Sequence, residues 1–258
     1  MKVLKSGSPD LRQLLRSSRR SRLVASAAVF AVLYAILGLF PVSAYIGVSS
    51  FLTFREVVSP LAGMIFGPMT GGLSMILGNF VDFALGKPVA FDFLDFVPDL
   101  ASAVLAGFVF TGRRKAAIVL PLALIFLYSI DPLSQDLVTY DGVSIPFFWL
   151  HLVSIAVLAA AFLLESKGVL NRLSPAYIAA TVFASTMTGH IAGSIMYEDV
   201  IGRINGLETT VTSSWNLIFL AYPAERALFT ILGTLVAVPV LRALSRRTRE
   251  GNGAVTVA

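Results

Sequence analysis

The stretch GMIFGPMTGGLSMILGNFVD, residues 63–82, decides how the chain folds. A proline cannot continue the helix that precedes it but fits the first turn of a new one, so Pro68 predicts the end of one apolar helix and the start of the next. Three glycines leave one face of the second helix without side-chain bulk: Gly71, Gly72 and Gly78. We therefore expect a tight helical hairpin whose second arm allows another helix to approach closely.

The composition of the whole chain places this hairpin in a membrane. The 258 residues are 56% hydrophobic and 14% charged, whereas roughly a quarter of the residues of soluble domains are charged. The absence of cysteine excludes disulfides and thiolate metal sites, and with only two histidines we predict neither a metal nor a cofactor. The net charge of +5 is concentrated at the chain ends, which favours a membrane topology over nucleic-acid binding.

A helix needs about 17–25 apolar residues to cross a bilayer. Eight apolar segments of about this length follow one another, although the second and the fifth are short and could instead be re-entrant or interfacial. They are residues 23–40, 49–66, 68–86, 94–111, 115–131, 146–164, 175–198 and 217–242. Residues 1–22 form a basic N-terminal tail, 23–244 a single helical membrane domain, and 245–258 a flexible C-terminal tail. The sequence therefore predicts an all-α integral membrane protein.

The distribution of basic residues predicts the orientation. With the N-terminus inside, the inner loops and their helix ends hold sixteen Lys and Arg residues, whereas the outer loops hold only Lys87 and Arg203. Loops rich in Lys and Arg stay on the cytoplasmic side. We predict a multi-pass protein of the cell membrane with both termini in the cytoplasm.

Polar and ionisable side chains within the segments are concentrated in the halves that face outward. Such groups are costly in a bilayer and are therefore functional hypotheses by default. Their depth predicts a pocket that is open to the outside and closed below by an apolar floor. The candidate ligand-binding residues are Arg55, Glu56, Asn79, Asp82, Asp99, His190, Tyr197, Asn216, Glu225 and Arg226. Each could instead serve helix packing, an ion pair or an aromatic belt at the membrane interface.

Three stretches resemble one family of membrane proteins. Residues 60–82, PLAGMIFGPMTGGLSMILGNFVD, resemble the second-to-third helix hairpin of the substrate-binding S components of energy-coupling factor (ECF) transporters. Residues 96–107, FVPDLASAVLAG, look like the fourth helix of those proteins, and residues 222–233, YPAERALFTILG, look like their last helix. The resemblance implies a helical bundle of six core transmembrane helices, to which residues 115–164 would add an inserted pair, giving about eight spans.

The resemblance also implies partners and a mechanism. An S component captures a small water-soluble nutrient from outside and delivers it with a membrane T component and two cytosolic ATPases. Ala31 and Ala35, with Ala27 one turn earlier, are similar to the Ala-x-x-x-Ala motif by which S components dock on the T component. Small residues four apart allow helices to approach closely, which fits a docking role.

Other classes of function stay open. A stand-alone secondary transporter would need a polar path through the inner half of the bundle, which is nearly free of charge. An intramembrane enzyme could use Asp95 and Asp99, four residues apart, or His190, and a purely structural membrane subunit is the simplest alternative. Acids outnumber bases among the candidate residues, which favours a neutral or cationic ligand over an anion.

Overall fold

The computed structural model describes residues 11–44, 46, 51–140 and 142–253, which form a helical bundle. Its helices are α1 (Leu11–Gly38), α2 (Arg55–Ala84), α3 (Phe96–Phe110), α4 (Arg114–Ser129), α5 (Trp149–Ser166), α6 (Pro175–Met196) and α7 (Glu208–Gly253). A π-helical segment, Tyr197–Ile204, continues α6. Two small antiparallel sheets pair β1 (Pro41–Ala44) with β2 (Phe51–Thr53) and β3 (Leu137–Tyr140) with β4 (Val143–Pro146).

Helix α2 is the hairpin that the sequence predicts. Its backbone leaves the helical conformation at Gly67, where φ is +78° and ψ is 177°, a combination that side chains with a Cβ rarely adopt. The chain reverses there, because Arg55 Nη1 lies 2.8 Å from Asp82 Oδ2 although the two residues are 27 positions apart. In a straight helix the same two residues would be about 40 Å apart.

The second arm of the hairpin packs against α1 through small residues. A Cβ on Gly78 would lie 2.8 Å from the backbone oxygen of Ala31, so the two helices touch through their backbones. Ala27, Ala31 and Ala35 are all buried, with at most 5% of each residue exposed. The alanine stripe that we expected to dock a partner is therefore an internal packing surface in this structure.

Several helices have the length and composition of membrane spans. Four are long and apolar enough to cross a membrane: Arg55–Ala84, Trp149–Ser166, Pro175–Ile204 and Glu208–Arg246. Two shorter apolar helices are Leu23–Gly38 and Phe96–Phe110. Because Arg55–Ala84 reverses at Gly67, each of its arms is much shorter than the whole element. The prediction of a mostly helical membrane protein is confirmed at this level.

The bounds of the elements differ from the predicted ones at the termini and in one loop. Helix α1 begins at Leu11 and α7 continues to Gly253, so much of what we expected to be tail is helical. Residues 1–10 and 254–258 lie outside the described residues. Between α4 and α5, in the connection between two predicted segments, the chain forms the β3–β4 hairpin, which turns at Gly142 with φ of +79°.

The hairpin gives the bundle two distinguishable ends. At the end where α2 turns, a Cβ on Gly67 would lie 3.6 Å from the side chain of Thr111, which follows α3. The side chain of Glu165, at the end of α5, accepts hydrogen bonds there from Arg114 at 2.8 Å and from Arg172 at 2.6 Å. We call this the Gly67 end, and the end where the two arms of α2 begin and finish is the opposite end.

An apolar core separates the two ends. Helix α6 is central to it and packs against α3, α4, α5 and α7. The buried side chains between α1, α2, α3, α6 and α7 include Phe30, Leu61, Met64, Met75, Ala103, Ala106, Ile178, Val182, Ala237 and Leu241. Dispersion contacts among many such atoms are small individually and large together, so this core fixes how the helices are placed around the opposite end.

Candidate functional site

A cluster of buried polar side chains lies at the opposite end, where the two ends of α2 meet the start of α3. We call it the ion-pair cluster; its members are Tyr34, Arg55, Ser59, Asn79, Asp82, Lys87 and Asp99. Arg55 Nη1 donates to Asp82 Oδ2 at 2.8 Å, and Arg55 Nε lies 3.3 Å from Asp99 Oδ2. None of these three side chains is more than 3% exposed. Buried charges persist in proteins when they are paired in this way.

Neutral groups complete the ion-pair cluster. The hydroxyl groups of Tyr34 and Ser59 donate to the carboxylate of Asp99. In the amide orientation that satisfies its neighbours, the Asn79 side-chain oxygen accepts from Arg55 Nη1 at 3.2 Å and from the backbone N–H of Phe96 at 3.1 Å. The cluster therefore ties α1, both arms of α2 and α3 together with polar contacts.

Lys87 reaches the ion-pair cluster from the loop after α2. Its Nζ lies 3.5 Å from Asp82 Oδ2, and the side chain is only 7% exposed. Burial, and next the positive charge of Arg55, lower the pKa of Lys87 from its usual 10.5 to about 8. Sequence reasoning placed Lys87 in an outer loop and missed this contact, because nothing in the local sequence shows that the loop folds back over Asp82.

An open cavity lies beside the ion-pair cluster. It contains about 620 Å³ of space between atoms, including the part that is open to solvent. The β1–β2 region, α2, α3, α6 and α7 all contribute to its walls. Its charged, polar and aromatic lining residues are Glu56, Phe91, His190, Ser194, Tyr197, Trp215, Glu225 and Arg226.

One wall of the cavity carries charges. Glu56, one residue after Arg55, projects from α2, and the pair Glu225 and Arg226 projects from α7. Arg226 Nη2 lies 3.8 Å from Glu225 Oε2, so these sequence neighbours form a long ion pair. The guanidinium also lies over the ring of Phe229, 4.9 Å from its centroid. Arg226 Nε is buried and has no hydrogen-bond partner among the described residues.

A second wall is built from stacked rings. The ring of His190, which lines the cavity, stacks on Tyr222 with 4.7 Å between centroids. His190 Nδ1 lies 3.1 Å from His151 Nε2, a hydrogen bond whose donor depends on the tautomers of the two rings. With Nδ1 engaged, Nε2 is the ring nitrogen that His190 retains for a ligand.

His151 is a member of the site that sequence reasoning missed. It is only 2% exposed and supports His190 from behind. In the sequence it is a single histidine in the apolar run WLHLVSIAVL, residues 149–158, which we assigned to the inserted helix pair. The signal that could have identified His151 is its position inside an apolar segment, where an ionisable residue is a functional hypothesis by default. Its partner could not be read from the sequence, because α5 and α6 meet only in the tertiary structure.

The π-helical segment sets the direction of two consecutive side chains at the end of α6. Tyr197 lines the cavity, and its ring meets Trp215 edge to face at 5.7 Å. Glu198 is completely buried, and within the part of the chain that the structure describes neither of its carboxylate oxygens has a hydrogen-bond partner. Departures from α-helical geometry of this kind are frequent at functional sites.

The structure divides the ten candidate residues into three groups. Five line the cavity: Glu56, His190, Tyr197, Glu225 and Arg226. Four belong to the ion-pair cluster: Arg55, Asn79, Asp82 and Asp99. Contrary to our expectation, Asn216 lies outside the cavity. It is exposed, and its side-chain oxygen accepts a hydrogen bond from Gln135 Nε2 at 3.2 Å.

Asp95 holds a loop in place. Its carboxylate accepts hydrogen bonds from the backbone N–H groups of Ala90 at 2.9 Å and Phe91 at 3.1 Å, which fixes the loop before α3. Its capacity to accept hydrogen bonds is thus used within the fold. Among the described residues, no group of three or more His, Asp or Glu side chains is arranged to hold a metal ion.

Comparisons of the chain with protein-family models, with curated proteins and with solved structures each returned no significant match. The function is therefore inferred from the cavity, the ion-pair cluster and the sequence patterns.

Proposed function

We propose that this protein captures a small water-soluble nutrient in the cavity and passes it across the membrane with partner proteins, in the manner of an ECF S component. The observation that carries this function is the open cavity of about 620 Å³, whose walls bear Glu56, His190 and Arg226 at one end of the bundle. A cavity with a few convergent polar groups among apolar ones is the usual form of a small-molecule site.

The apolar core below the cavity favours capture with partners over independent transport. Between the cavity and the Gly67 end, the described helices pack through residues such as Met75, Ala103 and Ile178. A carrier that couples to an ion gradient needs polar groups along the path of the ion. Movement of a solute through this core therefore calls for a large rearrangement, which ATPases acting through a T component would drive.

Contacts of the aspartates disfavour an intramembrane enzyme. Asp99 is engaged by Arg55, Ser59 and Tyr34, and Asp95 is engaged by backbone amides. A general acid or base must be within hydrogen-bond reach of a reacting group. Both carboxylates are instead used to hold the fold together.

In this proposal the protein is a multi-pass component of the cell membrane. The two arms of α2 count as separate membrane segments, which gives about eight segments with both basic termini in the cytoplasm. The open mouth of the cavity then faces outward. A T component would have to engage a face other than the alanine stripe of α1, because Ala27, Ala31 and Ala35 are packed inside.

Ligand-induced stabilisation tests the capture function. Purified protein in detergent is heated with each member of a panel of vitamins, purines and related solutes at about 1 mM. A ligand at one hundred times its Kd stabilises the folded state by about 2.7 kcal/mol, which is easily measured as a rise in Tm. We expect at least one compound to raise the Tm of the wild type and of Asn216→Ala, but not that of Arg226→Met.

The role of partners is tested by uptake. We expect proteoliposomes that contain this chain alone to bind the identified solute without accumulating it, with or without a proton or sodium gradient. Gradient-driven uptake by the chain alone would overturn the partner-dependent mechanism. A panel in which no compound changes the Tm would overturn capture itself.

A further inference from the structure

We infer, on the basis of the capture function proposed above, that the ligand of the cavity is an organic monocation that also carries a hydrogen-bond acceptor. Three features of the cavity lead to this class: its balance of charges, its aromatic lining and the unpaired nitrogen of Arg226. Together they select a ligand by its chemistry.

The charges of the cavity are unequal in number. Among the described residues that line it, Glu56 and Glu225 are carboxylates and Arg226 is the single cation. The adjacent ion-pair cluster does not correct this difference, because it contains two cations and two carboxylates of its own. Glu56 is only 9% exposed, and a buried carboxylate without a matching cation is costly. A ligand with one positive charge would balance the cavity.

The rings of the cavity suit the same ligand. Trp215 and Tyr197 meet edge to face, and Trp215 Nε1 donates to the backbone oxygen of Leu133 at 2.7 Å, which fixes the indole ring. Phe91 and His190 add two further rings to the lining. Aromatic faces attract organic cations through the ring quadrupole, and proteins hold quaternary ammonium groups in cavities built from such rings.

Arg226 supplies a further point of recognition. Its Nε is buried without a hydrogen-bond partner, although the residue is only 3% exposed and lies in the cavity wall. A buried donor without a partner is unfavourable, so an acceptor on the ligand would be bound selectively there. A carbonyl group or a ring nitrogen beside the positive charge would meet this requirement.

A set of probes with the same ring and different charge tests the class. 1-Methylnicotinamide is a cation, nicotinamide is neutral and nicotinate is an anion, and all three carry an acceptor. Choline provides an aliphatic cation, so the set separates an aromatic source of the charge from an alkylammonium source. Binding is measured by the fluorescence of Trp215 in a Trp149→Phe background, since the chain has two tryptophans, and by the shift in Tm.

We expect 1-methylnicotinamide or choline to bind at least about tenfold more tightly than nicotinamide, with nicotinate the weakest. Either Glu56→Gln or Glu225→Gln should remove this preference by weakening the binding of the cation about tenfold. Glu208→Gln, which removes an exposed carboxylate outside the cavity, is the matched control and should preserve it.

Two results would overturn the inference. If nicotinamide or nicotinate binds as tightly as the cations, the capture function stands and the charge class is wrong. The same holds if no cation of the set binds while another solute of the nutrient panel stabilises the protein. If no compound of either set binds, the capture function fails as well.

Discussion

Arg55 and Glu56 are consecutive residues whose side chains belong to two different regions. Arg55 points into the ion-pair cluster, where Asp82 and Asp99 surround it. Glu56 lines the cavity, as does Arg226. Both regions are polar and lie at the same end of the bundle. In the ion-pair cluster the charged groups pair with one another, whereas in the cavity polar atoms face an open space.

This difference assigns a role in stability to the ion-pair cluster and a role in binding to the cavity. In the ion-pair cluster, hydroxyl, amide and charged groups of three helices contact one another, and both Arg55 and Lys87 lie within 3.5 Å of a carboxylate oxygen. In the cavity, Arg226 Nε is left without a partner and His190 retains a ring nitrogen. Depth in the membrane does not distinguish the two regions, since both satisfy the rule that intramembrane charges are functional hypotheses. What distinguishes them is how closely opposite charges pair, because the Arg226–Glu225 ion pair of the cavity is longer, at 3.8 Å.

The sharpest test of the comparison substitutes the two neighbours separately. Arg55→Met leaves Asp82 and Asp99 buried without their main partner, and removal of one member of a buried pair costs about 3–5 kcal/mol. Glu56→Gln keeps the shape of a side chain that lines open space, and we expect it to cost less than about 1 kcal/mol. Unfolding of the purified protein by titration with denaturing detergent measures both.

A second substitution in the ion-pair cluster serves as the control. Adding Asp99→Asn to Arg55→Met removes the carboxylate that is left without a cation, because Lys87 still pairs with Asp82, so the double variant should recover part of the lost stability. If Arg55→Met and Glu56→Gln lose equal stability, the cluster and the cavity are not distinct in the way proposed here.

The position of the polar residues along their helices could be predicted from the sequence, but the neighbours toward which their side chains point could not. Pro68 and the nearby glycines predicted the hairpin, and the distance of Arg55, Asp82 and Asp99 from their segment ends predicted that they share one level. Facing direction depends on what packs beside a helix. Trp215 is 1% exposed and lines the cavity, whereas its neighbour Asn216 points away.

The residue pairs that contact each other between helices could not be predicted from the sequence either. The small residues of α1 correctly indicated close helix approach, but they did not indicate that Gly78 of the same chain would be the partner. His151 and His190 are 39 residues apart and meet because α5 and α6 are adjacent. Such pairings follow from the packing of whole helices, to which no local pattern corresponds.

Titration of Lys87 tests whether the ion-pair cluster is shielded from water. Its pKa is lowered to about 8 in the folded protein and is near 10.5 in the unfolded chain, so above pH 8 the unfolded chain binds more protons. Stability should therefore rise with pH, by roughly 2 kcal/mol between pH 7 and 10 at about 1.4 kcal/mol per pKa unit. The rise should be absent in Lys87→Met.

The matched control for this titration is Lys115→Met, which removes an exposed lysine near the start of α4. This variant should keep the full rise in stability. A wild-type profile that is flat, or that falls between pH 8 and 10, would mean that Lys87 is solvated and does not belong to the cluster. The distinction between an ion-pair cluster that is shielded from water and a cavity that is open to it would then not hold.

The smallest effect is expected at Glu198, a carboxylate that belongs to neither region. It is fully buried, and both of its oxygens lack hydrogen-bond partners, while the nearby Arg203 is committed to Asp131 at 2.6 Å. Burial of an unpaired charge is unfavourable, so Glu198→Gln should raise the free energy of unfolding by about 1 kcal/mol. Glu165→Gln is the control of opposite sign, because it weakens a carboxylate that accepts from two arginines. If Glu198→Gln destabilises the protein instead, Glu198 is paired in the folded state, and this carboxylate has a structural role like that of Asp82 and Asp99.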